Sequence, residues 1–224
     1  MMGILDWLWQ LLFPPKCLLC RKVLQDEELD LCQACRVDGP ECTNFRKKLP
    51  FIDSWVAIWY YEDNARFSLL RYKFRGMRSY AQGYGRLLAM QLLEAHPEGF
   101  DLLTWVPISP FRKLFRGYDQ VELLAQWVSQ ELGVEPTPLL KKIRHNRPQS
   151  GIVGDAQRRA NVLGAYRVEN PELLRGKRII LLDDIITTGA TAGECARILL
   201  TAGAKEVHCG AVAVARHQAN NKVR

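Results

Sequence analysis

The sequence has no apolar stretch long enough to cross a lipid bilayer. A membrane-spanning helix needs about 20 consecutive apolar residues, whereas the apolar segment at residues 4–13 is short and ends at Pro14-Pro15. This segment has no basic n-region, so no secretory signal is expected before the first cysteines. We therefore expect a cytoplasmic protein without an integral membrane segment, in which residues 4–13 form a docking helix. Weak binding to a membrane surface is the alternative.

Two common phosphate-binding motifs are also missing. The chain has no Gly-Lys-Ser/Thr of a Walker-type loop, and no Gly-x-Gly-x-x-Gly follows a strand pattern. We therefore expect neither a P-loop protein nor a dinucleotide-binding domain, the two classes of phosphate-binding protein that these motifs define. Internal repeats and low-complexity runs are absent as well.

The chain does have enough apolar material for one sizeable core. It contains 224 residues, of which 48% are hydrophobic, and this suits one main domain with a small appendage. Its formal net charge is +7 and its pI is about 9.1. Such a basic chain favours an anionic partner, and nucleotide phosphates and nucleic acid both meet that description.

The most informative segment is residues 178–191, an apolar run followed by two acids and a turn of small residues. The unbroken apolar run at 179–182 is typical of a buried parallel strand, which ends at Asp183 and Asp184. The turn consists of Thr187, Thr188, Gly189, Ala190 and Thr191. Backbone N–H groups of such a turn can close around an anion, and the helix expected at 192–202 directs its positive dipole end there. The segment predicts a phosphate site.

The two carboxylates narrow the choice of ligand, because they would repel a phosphate unless they bind another part of the same molecule. Asp183 and Asp184 can accept hydrogen bonds from a ribose 2′,3′-diol or help to hold Mg²⁺ through water. The turn would then bind the 5′-phosphate of that sugar. The structural alternative is that Thr191 is only a helix N-cap, with Glu194 completing a capping box.

This arrangement of strand, acid pair and Thr-rich turn resembles the PRPP-binding motif of type I phosphoribosyltransferases. The resemblance implies that Asp183 and Asp184 are the catalytic acids. It also implies that residues 187–191 bind the phosphate and ribose of PRPP, and that Mg²⁺ accompanies this ligand.

Four cysteines near the start form two Cys-x-x-Cys pairs, Cys17 with Cys20 and Cys32 with Cys35. This is the spacing of a structural zinc site with four thiolates. A disulfide framework is the alternative, which a reducing cytosol disfavours. The segment is too short to bury much apolar area, so zinc, with about 10–16 kcal/mol of apparent binding free energy, would take the place of a core. We predict a zinc-binding domain over residues 1–50 and a second domain over residues 51–224.

Beyond residue 50, strand patterns alternate with helical patterns. Strands are predicted at 55–61, 102–108, 139–143, 165–168, 179–182 and 206–215, and helices at 66–73, 85–95, 120–132, 155–162 and 192–202. This alternation favours an α/β fold with a largely parallel, doubly wound sheet. In such a sheet the ligand lies at the carboxyl ends of the strands, which is where Asp183 and Asp184 are predicted.

A basic loop follows the strand predicted at 102–108 and leads into the next helix. It contains Arg112, Lys113 and Arg116, which are candidates for binding the diphosphate of PRPP because Arg grips phosphate oxygens bidentately. A second basic stretch, residues 141–151, continues towards Arg158 and predicts a mobile cover over the site. The alternative for each of these cations is a solvated surface charge.

The order of the motifs resembles the ComF family, the competence protein F proteins, over nearly the whole chain. The shared features are the N-terminal apolar segment ending in Pro14-Pro15, the cysteine pairs, Tyr72-Lys73-Phe74-Arg75-Gly76, Val106-Pro107, Arg116-Gly117-Tyr118-Asp119-Gln120, Gln149, Arg158 and Arg159 with Asn161-Val162, and the PRPP motif. Asp119 stands where Asn is expected in this family. The family implies a type I phosphoribosyltransferase fold and a role in DNA uptake during natural transformation, with a DNA helicase or translocase as partner in some species.

Two functions remain open. The first is a phosphoribosyltransferase that uses PRPP and Mg²⁺ and displaces diphosphate with an unknown nucleophile. The second is a non-catalytic assembly module for single-stranded DNA and its helicase, in which the zinc segment docks a partner and the basic loops contact phosphates. Fold alone does not decide between them.

Overall fold

The computed structural model describes residues 13–42, 48–144 and 155–216, in which strands and helices alternate as predicted. The strands are β1 (Ser54–Tyr60), β2 (Leu102–Trp105), β3 (Leu140–Lys142), β4 (Tyr166–Val168), β5 (Arg178–Ile186) and β6 (Glu206–Val214). The helices are α1 (Gln33–Val37), α2 (Asp63–Phe74), α3 (Tyr80–Ala95), α4 (Pro110–Arg116), α5 (Gln120–Leu132), α6 (Asp155–Val162) and α7 (Ala190–Thr201). β2 ends three residues before its predicted end, close to Pro107, which cannot donate to a strand ladder.

Four strands form a parallel sheet in the order β1-β6-β5-β2. β5 and β6 lie at its centre and are buried along nearly their whole length, which explains their continuous apolar sequences. β3 and β4 do not join this sheet, because they pair antiparallel with each other. The predicted α/β fold with a largely parallel sheet is therefore confirmed, and the two short strands form an appendage to it.

Helices cover both faces of the sheet and form two cores. Alternate residues of β5 serve the two sides: Ile180 and Leu182 belong to one core, Ile179 and Leu181 to the other. The first core lies under α2, α3 and α5, and the second under α7 and the β3–β4 pair. α3 and α5 approach closely at Gly85, where an added Cβ would lie 2.5 Å from Trp127.

The cysteine-bearing segment at residues 17–35, here called the knuckle, packs on the first core. Leu18, Leu19 and Leu31 of the knuckle are buried in that core. Arg86 of α3 binds Asp30 through two hydrogen bonds of 2.9 and 2.6 Å. The knuckle is thus attached to the helices beside it, while the domain boundary at residue 50 stays a prediction. Within the described ranges, no helix combines the length and the apolar character needed to span a bilayer.

Candidate functional site

Asp184, near the carboxyl end of β5, is held by two side chains from neighbouring helices. Its Oδ1 accepts a hydrogen bond from Lys73 Nζ at 2.8 Å, and its Oδ2 accepts one from Gln120 Nε2 at 2.7 Å. Lys73 lies in the last turn of α2 and Gln120 is the first residue of α5. Both carboxylate oxygens therefore have fixed partners, and the orientation of Asp184 is set by the fold.

Asp183 is equally buried but differently surrounded. Its Oδ1 accepts the backbone N–H of Asp184 at 2.8 Å. Burial, followed by the negative charge of Asp184, raises the pKa of Asp183 to about 8, against the opposing influence of Lys73 and Lys142. A carboxyl group in this condition gains from a ligand hydroxyl or a cation that would stabilise its ionised form.

The hydroxyl-lined turn follows directly after β5. Gly189 has a φ of +79° and is the N-cap of α7, and an added Cβ would lie 2.5 Å from Leu49 Cδ2. Glycine is thus required here both by backbone conformation and by close packing. Thr187, Thr188 and Thr191 are partly exposed, and the backbone N–H of Ala190 donates to Thr188 Oγ1 at 3.3 Å. The N–H groups in the first turn of a helix have no partner within the helix, which suits an anion.

The capping-box alternative for this turn is not formed. The N-cap of α7 is Gly189 rather than Thr191. Glu194 is turned away, where it accepts hydrogen bonds from Arg197 Nε at 2.8 Å and from the backbone N–H of Gly164 at 2.9 Å. The turn therefore has a geometry that capping alone does not explain.

A buried lysine that the sequence analysis missed lies near the acids. Lys142 Nζ on β3 donates to the hydroxyl of Tyr166 on β4 at 3.0 Å. Burial, and then the charge of Arg112, lower the pKa of Lys142 to about 8, while Asp183 acts in the opposite direction. The alternation of side chains along the strand predicted at 139–143 is the sequence signal that could have placed Lys142 on the inner face, and the structure shows this alternation, with Lys141 exposed between two buried residues.

Lys142 also lines a cavity of about 460 Å³. The lining residues are Ser109, Pro110, Phe111, Lys142, Ile143 and Arg144. Because Lys142 and Arg144 bring positive charge to a cavity whose other lining residues are apolar apart from Ser109, its chemistry suits an anionic group.

The side chains of the three cations predicted to bind diphosphate have different neighbours. Their segment is the helix α4 rather than a loop, and it is capped by Ser109 Oγ, which accepts the N–H of Arg112. The charge of Arg112 acts on Lys142. Lys113 forms an ion pair of 2.6 Å with Glu122, and the guanidinium of Arg116 lies 4.9 Å from the centre of the Phe74 ring.

Asp119, which stands where the ComF resemblance expects Asn, is a buried N-cap. Its Oδ1 accepts the N–H groups of Val121 and Glu122 at 2.9 and 3.2 Å, and its Oδ2 accepts the N–H of Ile108 at 3.1 Å. The carboxylate therefore joins the start of α5 to the end of β2.

The cover predicted at residues 141–151 lies mostly outside the described residues, which end at residue 144 and resume at residue 155.

The four predicted cysteine ligands meet in one cluster. The sulfur atoms of Cys17, Cys20, Cys32 and Cys35 all lie within 4.8 Å of one another, and all four are free thiols. Although burial opposes it, hydrogen bonds from the backbone of Cys32, Cys20 and Leu19 lower the pKa of Cys17 to about 7. Burial and the neighbouring thiols raise the pKa of Cys35. Four soft ligands in one place fit a metal ion such as zinc.

Comparison with known proteins identifies a phosphoribosyl transferase domain at residues 122–224. Competence protein F of Haemophilus influenzae is 28% identical over 218 residues, covering 86% of this chain and 93% of its own. Competence protein ComFC of Streptococcus pneumoniae is 29% identical over 228 residues, covering 86% and 96%. The DNA utilization protein YhgH of Escherichia coli K12 is 26% identical over 200 residues, covering 85% and 86%.

Solved structures of phosphoribosyl enzymes are similar at a lower level. Glutamine PRPP amidotransferase from B. subtilis is 21% identical with a TM-score of 0.42, covering 63% of this chain and 30% of that one. An adenine phosphoribosyltransferase is 16% identical with a TM-score of 0.39, covering 67% and 76%. The curated relatives and the matching domain confirm the resemblance read from the sequence: over most of its length the chain is similar to competence proteins F and ComFC, and its C-terminal half matches a phosphoribosyl transferase domain.

Proposed function

We propose that this chain binds PRPP or a related ribose phosphate together with Mg²⁺ and acts as a phosphoribosyltransferase with a role in DNA uptake. One observation carries the proposal. Asp183, a buried carboxyl group with a raised pKa, is followed directly after β5 by the N-terminal turn of α7. One part of a ribose phosphate would stabilise the carboxylate, and the other would satisfy the N–H groups of the turn.

Different residues of the site would bind different parts of the ligand. Residues 187–191 bind the 5′-phosphate, and Asp183 accepts hydrogen bonds from the ribose hydroxyls. Asp184, fixed by Lys73 and Gln120, adds negative charge beside the ribose ring, where positive charge develops as the bond to diphosphate breaks. Positioning and charge stabilisation would supply most of the rate enhancement.

Arg112 and Lys142 are the proposed contacts of the diphosphate. Both side chains have pKa values lowered first of all by burial, so an incoming anion would relieve an unfavourable concentration of positive charge. In the reaction, the C1–oxygen bond to diphosphate breaks and the nucleophile forms a bond to C1, with the negative charge leaving on diphosphate. Mg²⁺ bound with PRPP would share in neutralising that charge.

Zinc is the proposed occupant of the knuckle. Four thiol ligands leave no open coordination position, so the metal would be structural rather than catalytic.

The test of the main proposal is titration calorimetry with PRPP and Mg²⁺. We expect binding to the wild-type protein and none to the Asp183→Ala, Asp184→Ala double variant. Glu135→Gln is the matched control, because Glu135 is an exposed carboxylate, and it should bind as the wild type does. Failure of the wild-type protein to bind PRPP at millimolar concentration would remove the proposal.

A second function, single-stranded DNA binding within an assembly with a helicase, is favoured by the surface of α4. Phe111, Leu114 and Phe115 are 66%, 83% and 84% exposed, and Arg112 and Arg116 lie on the same helix. Exposed aromatic rings next to arginines suit the stacking of bases with contacts to phosphates, at about 1–3 kcal/mol per stacked base.

This second function predicts that Phe115→Ala lowers the affinity for an oligothymidylate by about 5–160-fold. Phe67→Ala is the control, because Phe67 is also an exposed phenylalanine, at 54%, but lies on α2. Binding should weaken steeply with added salt. An affinity that does not change with salt, or equal losses in the two variants, would contradict it.

A further inference from the structure

Lys142 is a buried amine beside the cavity of about 460 Å³. It is the last residue of β3, only 9% of its surface is exposed, and it lines the cavity. Lys141, its neighbour on the same strand, is exposed and lies 3.7 Å from Glu169. The volume of the cavity falls within the range of about 300–1,000 Å³ that is usual for small-molecule sites. β3 therefore carries two adjacent lysines in opposite surroundings, one in solvent and one beside a cavity.

The partner strand holds the amine of Lys142 in place. Tyr166 lies opposite Lys142 in the register of β3 with β4, and its hydroxyl oxygen accepts a hydrogen bond from Nζ at 3.0 Å. Burial, followed by the neighbouring Cys195 and Asp183, raises the pKa of Tyr166, so the phenol stays protonated. Because the bond from Lys142 uses the phenol oxygen as acceptor, the phenol hydrogen can donate to an oxygen atom of a ligand.

Three further groups, on α4, α7 and β5, act on this amine. Burial and then Arg112 favour its neutral form, whereas Cys195 and Asp183 favour its charged form. The balance lowers the pKa of Lys142 from the usual 10.5 to about 8. At pH 7 the unprotonated fraction is then about 300 times that of an ordinary lysine. A lysine that is desolvated next to another cation can act as a nucleophile.

Arg144 provides a positive charge on the wall of the same cavity. It donates to the backbone carbonyls of Asn161 and Leu163 at 3.3 and 2.8 Å. Carbonyl groups carry no net charge, so these bonds hold the guanidinium in place without neutralising it. Both bonds come from Nη2, so the donors on Nε and Nη1 can bind phosphate oxygens. The cavity thus combines a nucleophile with a site for a phosphate group.

We propose that Lys142 is a site of acylation by a small acyl phosphate that binds in this cavity. The phosphate group lies against Arg144, and the acyl carbon lies next to Nζ. The lone pair of Nζ attacks the acyl carbon and forms a C–N bond, while the C–O bond to phosphate breaks and its electron pair leaves on phosphate. The proton that Nζ loses passes to the phosphate, so the products are an amide and inorganic phosphate. The hydroxyl of Tyr166 donates to the acyl oxygen, where negative charge develops.

Acylation converts Lys142 from a cation into a neutral amide. The reaction goes beyond the proposed function, but one consequence rests on that function. If Lys142 is a contact of diphosphate, the acylated chain binds PRPP more weakly than the unmodified chain. The labelling reaction itself requires no PRPP, so failure of the acylation proposal can be distinguished from failure of the proposed function.

The test treats the full chain with acetyl phosphate at pH 7 and follows each lysine by peptide mass spectrometry. Lys141 is the internal control, because it lies on the same strand but is exposed. We expect Lys142 to be acetylated about 10-fold faster than Lys141 or more, since its larger fraction of free amine is partly offset by the weaker nucleophilicity of a less basic amine. Inorganic phosphate should slow the reaction of Lys142 alone. A rate at Lys142 that does not exceed the rate at Lys141, or a lack of protection by phosphate, would overturn the proposal.

Arg144→Met separates binding of the phosphate group from the reactivity of the amine. The substitution removes a positive charge from the cavity but leaves in place the charged groups that shift the pKa of Lys142. We expect acetylation of Lys142 to slow by about 10–100-fold, the loss expected for one contact to a charged group. Arg167→Met, at an exposed arginine that pairs with Glu169 at 3.3 Å, should react as the wild type does. An unchanged rate in folded Arg144→Met would overturn the role of the cavity, and if this variant does not fold, the comparison of the two lysines in the wild-type protein decides the proposal.

Discussion

The knuckle and the site at the carboxyl end of β5 both bring ionisable side chains close together, but they differ in how the charges of these side chains can be balanced. In the knuckle, four thiol ligands surround one point, so a single soft cation satisfies all of them. At the site, burial, followed by the charge of Asp184, raises the pKa of Asp183 to about 8, and burial, followed by the charge of Arg112, lowers the pKa of Lys142 to about 8, so the charge of both groups changes close to neutral pH. The first arrangement suits a permanent metal, and the second suits a ligand that enters and leaves.

The two regions are joined by α2. Ser68 and Arg71 of this helix donate hydrogen bonds to the backbone carbonyls of Leu18 and Leu19 in the knuckle. Less than one turn later, Lys73 forms its ion pair with Asp184. A change in the knuckle can therefore alter the acid pair through α2. Substitutions in either region test this connection.

Loss of the knuckle metal should have the largest effect. The Cys17→Ala, Cys32→Ala double variant should lose zinc and a large part of the stability of the fold, since apparent zinc-binding free energies are about 10–16 kcal/mol. Cys42→Ala, which removes a cysteine outside the cluster, should keep both. Elemental analysis and thermal unfolding measure the two effects. Absence of zinc from freshly purified, reduced wild-type protein would show that the knuckle is not a zinc site.

Asp183→Asn should have the next largest effect, because it removes the ionisable group on which the proposed ligand acts. PRPP affinity should fall more than about 100-fold, since hydrogen bonds to a charged group contribute about 1.5–3 kcal/mol each and the ribose diol offers two. Wild-type binding at pH 7 should release close to one proton, because Asp183 must ionise. Calorimetry in two buffers of different ionisation enthalpy measures this release, and no buffer dependence would contradict it.

The same carboxyl group sets a pH dependence of stability in the absence of ligand. The ordinary pKa of 3.8 applies to the unfolded chain and about 8 to the folded one, so between these values the folded state holds a proton that the unfolded state has lost. Stability should therefore fall as the pH rises from about 4 to 8. In Asp183→Asn this fall should be weaker, and urea unfolding at several pH values compares the two proteins.

Lys142→Met should lower PRPP affinity by about 10–100-fold, the loss expected for one contact to a charged group. Lys141→Met is the matched control, because the neighbouring lysine is exposed and faces Glu169 at 3.7 Å. Without ligand, Lys142→Met should be the more stable protein at pH 7, since it removes a buried charge. Equal affinities of the two variants would exclude Lys142 from the anion site.

The sequence predicted the features that depend on neighbouring residues. The strand that carries Asp183 and Asp184, the turn with Gly189 and the cysteine pairs all follow from local patterns, although β5 continues past the acids to Ile186. The partners of Asp184 could not be predicted from the sequence. Lys73 and Gln120 are 111 and 64 residues away along the chain and contact Asp184 only because α2 and α5 pack beside β5. The contact of Ser54 with His208 was missed for the same reason, since it forms through the register of β1 with β6.

The smallest expected effect tests whether the two regions communicate. Arg71→Met removes two of the hydrogen bonds from α2 to the knuckle, those to the carbonyls of Leu18 and Leu19. We expect PRPP affinity to fall by about 2–30-fold, the range in which substitutions along a coupling route act. Arg86→Met breaks a comparable contact of the knuckle, but with α3, which does not carry Lys73. If zinc content stays complete in both variants and only Arg71→Met weakens binding, the knuckle acts on the site through α2. Equal affinities would show that the knuckle stabilises the fold without influencing the acid pair, because the ion pair of Lys73 with Asp184 would then hold regardless of how α2 is anchored.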